Sequence, residues 1–275
     1  MSDECKGLTA IITGAGAGGA RVASIGEAVA ILLARRGASI CVADINENAA
    51  IATVDAIRQE GGDAFYVAAD LSCEEECRRE IDACDERWGR LDILVNNLGV
   101  LVGAVAGQEA GDDWDKAMTI NVKTPLILFR AALPLMKNGG SVVNVSTTAI
   151  ETPSASAVYG ASKAALEGLT YHIAQQYGPD GVRCNAVRPG EAWTAVVDRF
   201  CKDEAVAEKV RAERRSRTAL LIDGDAWDLA EMIAFLAGPK SKWVTGQVIT
   251  VDGGGGLLRP SDQWTKHHSY WRAKK

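Results

Sequence analysis

Short apolar runs alternate with longer amphipathic runs along this chain. The apolar runs are LTAIITG, SICVAD, AFYVAAD, LDILVNN, SVVNVST, VRCNAVRP and QVITVDG. Each is rich in β-branched or small residues and closes on a Gly, Asp, Asn, Thr or Pro, as buried strands do. Between them lie patterns of helical period: EAVAILLARR stopping at Gly37, NAAIATVDAIRQ, a stretch from Ser72 to about Trp88, a long one over about Asp112–Lys137 with a bend expected near Pro125, and ASKAALEGLTYHIAQQY. Ser24 with Glu27, and Ser72 with Glu75, have the spacing of capping boxes. Strands alternating with helices predict an α/β fold: a Rossmann-type, doubly wound parallel sheet of about seven strands with helices on both faces. In such sheets ligands bind at the carboxyl ends of the strands.

The first strand–helix–strand unit carries chemistry. Its strand runs into Gly14, Gly16, Gly18, Gly19 and Gly26, and the second strand ends on Asp44. Glycines let the backbone approach a pyrophosphate, a helix N-terminus offers free N–H groups, and an acid at the second strand tip accepts bonds from ribose hydroxyls. The order of these parts predicts a dinucleotide site. Asp44 opposes a 2′-phosphate, and Ile45 and Asn46 add no basic residue, so NAD is expected over NADP.

Tyr159 and Lys163 stand four apart in YGASK, so both project from one helix face. A phenol titrates near pH 10 and is a poor proton shuttle at neutrality. A nearby ammonium is expected to lower that value and make the pair a proton-transfer device.

Several strings occur in one order: TGAG at Thr13–Gly16, Asp70–Leu71, NNLG at Asn96–Gly99, Asn121, VNVST at Val143–Thr147, YGASK, RPG at Arg188–Gly190 with Thr194, and VTGQVITVDGG. In that order and spacing the chain resembles the short-chain dehydrogenase/reductase family, from about Leu8 to Gly254. It resembles a subset with a lengthened glycine loop. The stretch from Thr13 to Gly26 exceeds the usual span by about six residues, Arg21 among them, and Ser24 stands where a glycine is usual.

The resemblance implies a catalytic set of Asn121, a hydroxyl residue, Tyr159 and Lys163. Asn121 would hold a water against the lysine, Tyr159 would be the general acid/base, and Lys163 would also bind the nicotinamide ribose. The hydroxyl is ambiguous. Counting forward from Asn144 selects Thr147, and a common spacing back from Tyr159 selects Ser146. A one-residue slip reverses a strand side chain, which favours Thr147, with Ser146 second. The implied cofactor set is Gly14, Gly16, Arg21, Ser24, Ile25, Asp44, Asp70, Leu71, Asn97, Gly99, Tyr159, Lys163, Pro189, Ala192 and Thr194, with Leu98 replacing the usual Ala. Arg21 either reaches the pyrophosphate or faces solvent. The implied activity is NAD-dependent interconversion of a secondary alcohol and its ketone. The alternatives are an NADPH-dependent ketoacyl-type reductase, or a non-catalytic NAD-binding scaffold or sensor, which would not need both Tyr159 and Lys163.

Composition narrows the rest. With 275 residues, 30 Lys+Arg against 36 Asp+Glu and a net charge of −6, a nucleic-acid partner is not expected. No apolar run approaches the ~18 residues that span a bilayer, and MSDECKG lacks the basic-then-apolar order of a signal peptide, so a cytoplasmic protein without a membrane partner is expected. The seven cysteines are scattered. Cys73, Cys77 and Cys84 could share a helix face, but the only histidines are His172, His267 and His268, so reduced thiols are expected rather than a metal site.

No linker divides the chain, so residues 1–254 are expected to form one catalytic domain. Its substrate loop, about 190–222, carries Trp193, Val196, Val197, Phe200, Arg211, Arg214, Arg215 and Arg217. The arginines read as a solvated helix face. Glu151 and Glu191 could also face the pocket, so no consistent substrate charge emerges. Residues 255–275 form a tail with Trp264, Tyr270 and Trp271, suited to docking on a neighbouring subunit. The family is commonly tetrameric, so a homotetramer or homodimer acting on a small alcohol or ketone is expected.

Overall fold

A computed structural model describes residues 3–17, 21–103, 106, 111–151, 156–201 and 203–257. All seven apolar runs are strands: β1 (Thr9–Thr13), β2 (Ser39–Asp44), β3 (Ala64–Ala68), β4 (Ile93–Asn96), β5 (Gly140–Val145), β6 (Val182–Pro189) and β7 (Val248–Val251). They form one sheet in the order β3-β2-β1-β4-β5-β6-β7, with every pairing parallel. The order reverses between β1 and β4. The crevice beyond their carboxyl ends is therefore the switch point where such sheets take ligands.

The helices are α1 (Ile25–Arg35), α2 (Glu47–Gln59), α3 (Glu74–Trp88), α4 (Asp113–Met118), α5 (Thr124–Ala132), α6 (Ala157–Tyr177), α7 (Ala195–Asp198), α8 (Glu204–Ser216) and α9 (Ala226–Ala237). Strand alternation feeds two cores. Ala10, Ile12, Ile40, Val42, Ile93, Val95, Val143 and Val145 pack against α1, α2 and α9. Ile11, Cys41, Leu94 and Val142 point the other way, onto α3, α5 and α6. Each buried Ile or Leu stabilises the fold by about 1.5–3 kcal/mol. Burial on both faces leaves polar side chains few places except the strand ends. No helix among the described residues is long and apolar enough to cross a membrane.

Three expectations need correction. Ser24 and Glu27 do form a capping box, but Ser72 and Glu75 do not. The helix starts later, with Cys73 as an N-cap that makes no side-chain bond. The Ser72 N–H instead donates to the Asp70 carboxylate. Glu74, Glu75 and Glu76 occupy the first turn, where they suit the positive end of the helix dipole. Secondly, the long helix is interrupted before its proline rather than bent at it. A π-helical turn, Thr119–Lys123, separates α4 from α5. Pro125 has no N–H to offer the carbonyl of Asn121, so the regular ladder fails there. Thirdly, Cys73 is exposed while Cys77 and Cys84 are buried, so the three do not line one face.

Glu80 lies on α3 between Cys77 and Cys84, is fully buried, and has no hydrogen-bond partner for either carboxylate oxygen among the described residues. Burial pushes its carboxyl up to about 8, and the Arg79 charge offsets only part of this. The folded protein thus keeps Glu80 protonated at neutral pH, whereas the unfolded chain ionises it in the ordinary range near ~4.3. Its contribution to stability is intact below that range and is lost progressively as pH rises to about 8. Glu80→Gln should flatten this decline, and Glu80→Leu should raise Tm at pH 8 by at least ~2 °C. Thermal melts at pH 5, 6.5 and 8 check this; an identical pH slope in wild type and both variants would refute it.

Candidate active site

The carboxyl ends of β1 and β4 are bound together by side chains. Asn97 Nδ2 donates to the carbonyls of Thr13 (2.9 Å) and Gly14 (2.8 Å). Thr13 Oγ1 accepts the N–H groups of Asn97 and Leu98 at 3.1 and 3.0 Å. Gly14 turns the chain with φ +62°, a conformation that strains any residue with a Cβ. Gly16 N–H donates to Asp44 Oδ2 at 2.9 Å, and a Cβ at Gly16 would lie 2.8 Å from that oxygen. Asp44 Oδ1 accepts the Asn46 N–H at 2.9 Å. Ser24 caps α1, which opens at Ile25, and its Oγ donates to the Gly16 carbonyl at 3.3 Å. A backbone cradle open only to glycine, beside a helix N-terminus and a strand-tip carboxylate, fits the phosphates and ribose of a dinucleotide. Gly18 and Gly19 lie outside the described residues. Asp70 is exposed at the end of β3, next to the buried Leu71, whose carbonyl accepts Thr124 Oγ1 at 2.7 Å.

Arg21 faces solvent, as one of its two sequence readings has it, and is held there by ion pairs. Its guanidinium donates to Asp198 at 3.3 and 3.0 Å and to Glu204 at 3.0 Å. It therefore bridges the lengthened glycine loop to the end of α7 and the start of α8.

Helix α6 begins at the N-cap Ser156, whose side chain accepts the Tyr159 N–H. Lys163 is 2% exposed, and its ammonium donates to the Val145 carbonyl at 2.8 Å. Nζ lies 6.0 Å from the Tyr159 ring centroid. A Cβ at Gly99 would meet Nζ at 2.9 Å, so a side chain there would have to displace the ammonium. Burial lowers the Lys163 ammonium to about 8. Tyr159 differs from expectation. Burial pushes its phenol up, and the opposing influence is a hydrogen bond from the Thr147 side chain rather than the Lys163 charge. Desolvation disfavours the charged form of both groups, and in this arrangement it outweighs their mutual influence.

Thr147 and Ser146 face different ways. The Thr147 side chain bonds Tyr159 and accepts the Ala149 N–H at 3.2 Å. Ser146 is buried and donates to Glu167 Oε1 at 2.5 Å. Asn121 sits in the π-helical turn, fully buried. Its side chain is occupied: Oδ1 accepts the Val100 N–H at 2.8 Å, and Nδ2 donates to the Val100 carbonyl at 3.0 Å and to Ser162 Oγ at 2.9 Å. It braces the loop after β4 against α6.

Beyond β6, the Pro189 carbonyl accepts Thr148 Oγ1 at 3.2 Å. Thr194 is buried ahead of α7, and the Ala192 carbonyl accepts an Arg214 N–H at 3.2 Å. The loop arginines are drawn into local pairs: Arg211 with Glu204, Arg215 with Glu208 and Asp223, Arg217 with Glu191. Glu151 pairs with Arg188. None of these pairs defines a substrate charge. A cavity of about 320 Å³ lies among α8, α9 and the end of β7, lined by Trp193, Arg214, Ile222 and Asp252 but by neither Tyr159 nor Thr147. Sequence reading missed Glu167 and Arg188; the available signal was that Glu167 stands four residues after Lys163 on the Tyr159 face.

A family model described as enoyl-(acyl carrier protein) reductase matches residues 18–255. The 7alpha-hydroxysteroid dehydrogenase of Escherichia coli K12 is 35% identical, over 90% of this chain and 94% of its own. A solved 7alpha-hydroxysteroid dehydrogenase complexed with NADH and 7-oxo glycochenodeoxycholic acid superposes with a TM-score of 0.82 at 32% identity, covering 92% of this chain and 96% of that one. A blue fluorescent protein from a metagenomic library, in complex with NADPH, gives 0.80 at 32% identity, covering 92% and 99%. The chain belongs to the short-chain dehydrogenase/reductase family. It is an oxidoreductase of a family that binds a nicotinamide cofactor.

The two hydroxyls can be separated by substitution. Thr147→Ala should lower kcat by at least ~10-fold more than Ser146→Ala, because only Thr147 contacts Tyr159. Steady-state kinetics of the two variants decide it, and a larger loss in Ser146→Ala would reverse the assignment.

Proposed function

We propose that the protein is a cytoplasmic, NAD-dependent dehydrogenase that interconverts a secondary alcohol and its ketone. The observation that carries this reading is the contact of Thr147 with Tyr159 above the buried Lys163, at the same sheet edge as the Gly14–Gly16 cradle. When bound, NAD accepts or returns a hydride at its nicotinamide ring. Tyr159 takes the alcohol proton, or gives it back to the ketone oxygen. Thr147 holds that oxygen by a hydrogen bond. Lys163 is the cation beside the phenol; with its ordinary range lowered by burial, it is ready to share its proton charge with Tyr159 and to bind ribose hydroxyls. Asn121 braces the loop that carries Gly99. Pro189, Ala192 and Thr194 would border the carboxamide, and Asp70 and Leu71 the adenine.

Asp44 supports NAD over NADP, since a carboxylate at the β2 tip repels a 2′-phosphate. A homo-oligomer, tetramer or dimer, completes the reading: β7 is an edge strand of the sheet among the described residues, and nearby Trp243 is 97% exposed. The expected tail contact lies outside the described residues from 258 onward. Screening NAD reduction against cyclic, aromatic and sugar-like secondary alcohols tests the activity, and no turnover of any secondary alcohol or ketone would remove it.

Tyr159→Phe should lower kcat by at least ~100-fold while NAD still binds, measured by steady-state kinetics and a fluorescence titration. Turnover above a tenth of wild type would exclude Tyr159 as the proton shuttle. Asp44→Ala should raise the NADP/NAD ratio of kcat/KM by at least ~10-fold. An unchanged ratio would mean that Asp44 does not meet the ribose.

A further inference from the structure

The inner face of α6 holds the carboxyl end of β5 residue by residue. Thr170 Oγ1 accepts Asn144 Nδ2 at 2.9 Å. Lys163 donates to the Val145 carbonyl, Glu167 accepts Ser146 Oγ, and Tyr159 meets Thr147. Tyr159, Lys163 and Glu167 follow at intervals of one helical turn, so they form one row. Of these contacts, the Ser146–Glu167 bond is the one made to a carboxylate, and Glu167 is 5% exposed.

A buried carboxylate is costly unless it is paired and hydrogen-bonded. Arg188, at the end of β6, does both. Its Nε and Nη2 reach the two oxygens of Glu167 at 2.6 Å each, a bidentate fork, and its Nη1 reaches Glu151. With both oxygens taken by Arg188, Glu167 does not pair with Lys163 one turn away, and the lysine keeps its bond to Val145. The backbone is fixed at the same point, because Ser146 N–H donates to the Val187 carbonyl at 2.7 Å. Ser146 and Thr147 are adjacent hydroxyls, and a slip of one residue would exchange their directions. A buried ion pair adds little net stability over an apolar substitute, and its best-attested use is to specify one arrangement.

We propose that Glu167 and Arg188 are positioning residues: together they hold Ser146 turned into the protein, so that Thr147 presents its hydroxyl to Tyr159. This rests on the dehydrogenase reading above. The two residues touch neither reacting atoms nor the glycine cradle, so their removal affects turnover and leaves cofactor affinity alone.

The test uses the full chain with Glu167→Gln, Arg188→Met, the double variant and Arg188→Lys, beside Tyr159→Phe. It reads kcat and KM with an alcohol from the screen, NAD affinity by fluorescence titration, and Tm. Each single variant should lose at least ~30-fold in kcat with NAD affinity within ~2-fold of wild type. The double should fall no more than ~3-fold below the worse single, since the pair acts as one unit. Arg188→Lys, which keeps the charge but not the fork, should recover only part of the loss, and it carries the test if Arg188→Met does not fold. Folded variants with lowered Tm but kcat within ~3-fold of wild type would make the network purely structural. Losses that multiply in the double, or a matching loss of NAD affinity, would also overturn the proposal. Failure here leaves Tyr159→Phe inactive; failure of the dehydrogenase reading leaves Tyr159→Phe active.

Discussion

Asn97 gives two hydrogen bonds to successive carbonyls, Thr13 and Gly14, and the rest of the site depends on that clamp. It joins the two strands between which the sheet reverses, where the helices that follow them, α1 after β1 and α5 after β4, pack on opposite faces. Parallel strands buried on both faces leave room for few polar side chains in their middles, Asn185 of β6 being one, and Thr13, Asn96, Asn97 and Asn144 gather at the carboxyl edge. The clamp keeps that edge from fraying. It also explains Gly26, where a Cβ would lie 2.5 Å from Asn97 Nδ2: α1 can start close to β4 only because this residue has no side chain.

The candidate catalytic groups share a second constraint, which is dehydration. Lys163 is enclosed, Tyr159 is partly so, and burial moves their proton affinities apart: the ammonium, ordinarily just above the phenol, falls to about 8, and the phenol rises. Both shifts favour the neutral form of the group, because each has lost water that would solvate its charge. The backbone supports this through an absence. Gly99 gives up a side chain to admit Nζ, and Pro125 gives up an N–H beside Asn121, whose turn is π-helical at the point where it must brace the neighbouring loop.

The strands were legible because short β-rich apolar runs and the Gly–Asp signature are local properties. The order of Thr147 and Ser146 was partly legible, since strand direction is stiff enough to be counted from Asn144. The interruption at Thr119–Lys123 was not: the pattern of apolar positions stays helical through a π-turn, and only the ladder geometry reveals it. Ser72 looked like a cap because the motif says nothing of where a helix actually begins. The direction of the Tyr159 shift was misjudged because sequence shows which charge is near but not how much water has left. Glu167 passed unnoticed as an ordinary acid on an amphipathic helix, its partner Arg188 being visible only as the start of the RPG string, with nothing there to pair it with an acid on α6.

The bridge made by Arg21 has a thermodynamic consequence. Asp198 is buried and Glu204 is exposed, while Arg21 itself faces solvent, so salt screens both contacts and the one to Asp198 less. The lengthened glycine loop cannot shift without loosening the segment that contains α7 and α8. Linkage is reciprocal: whatever ligand favours one arrangement of the loop must favour the matching arrangement of that segment by the same factor. Two segments that differ in what they touch are thereby coupled through a single guanidinium.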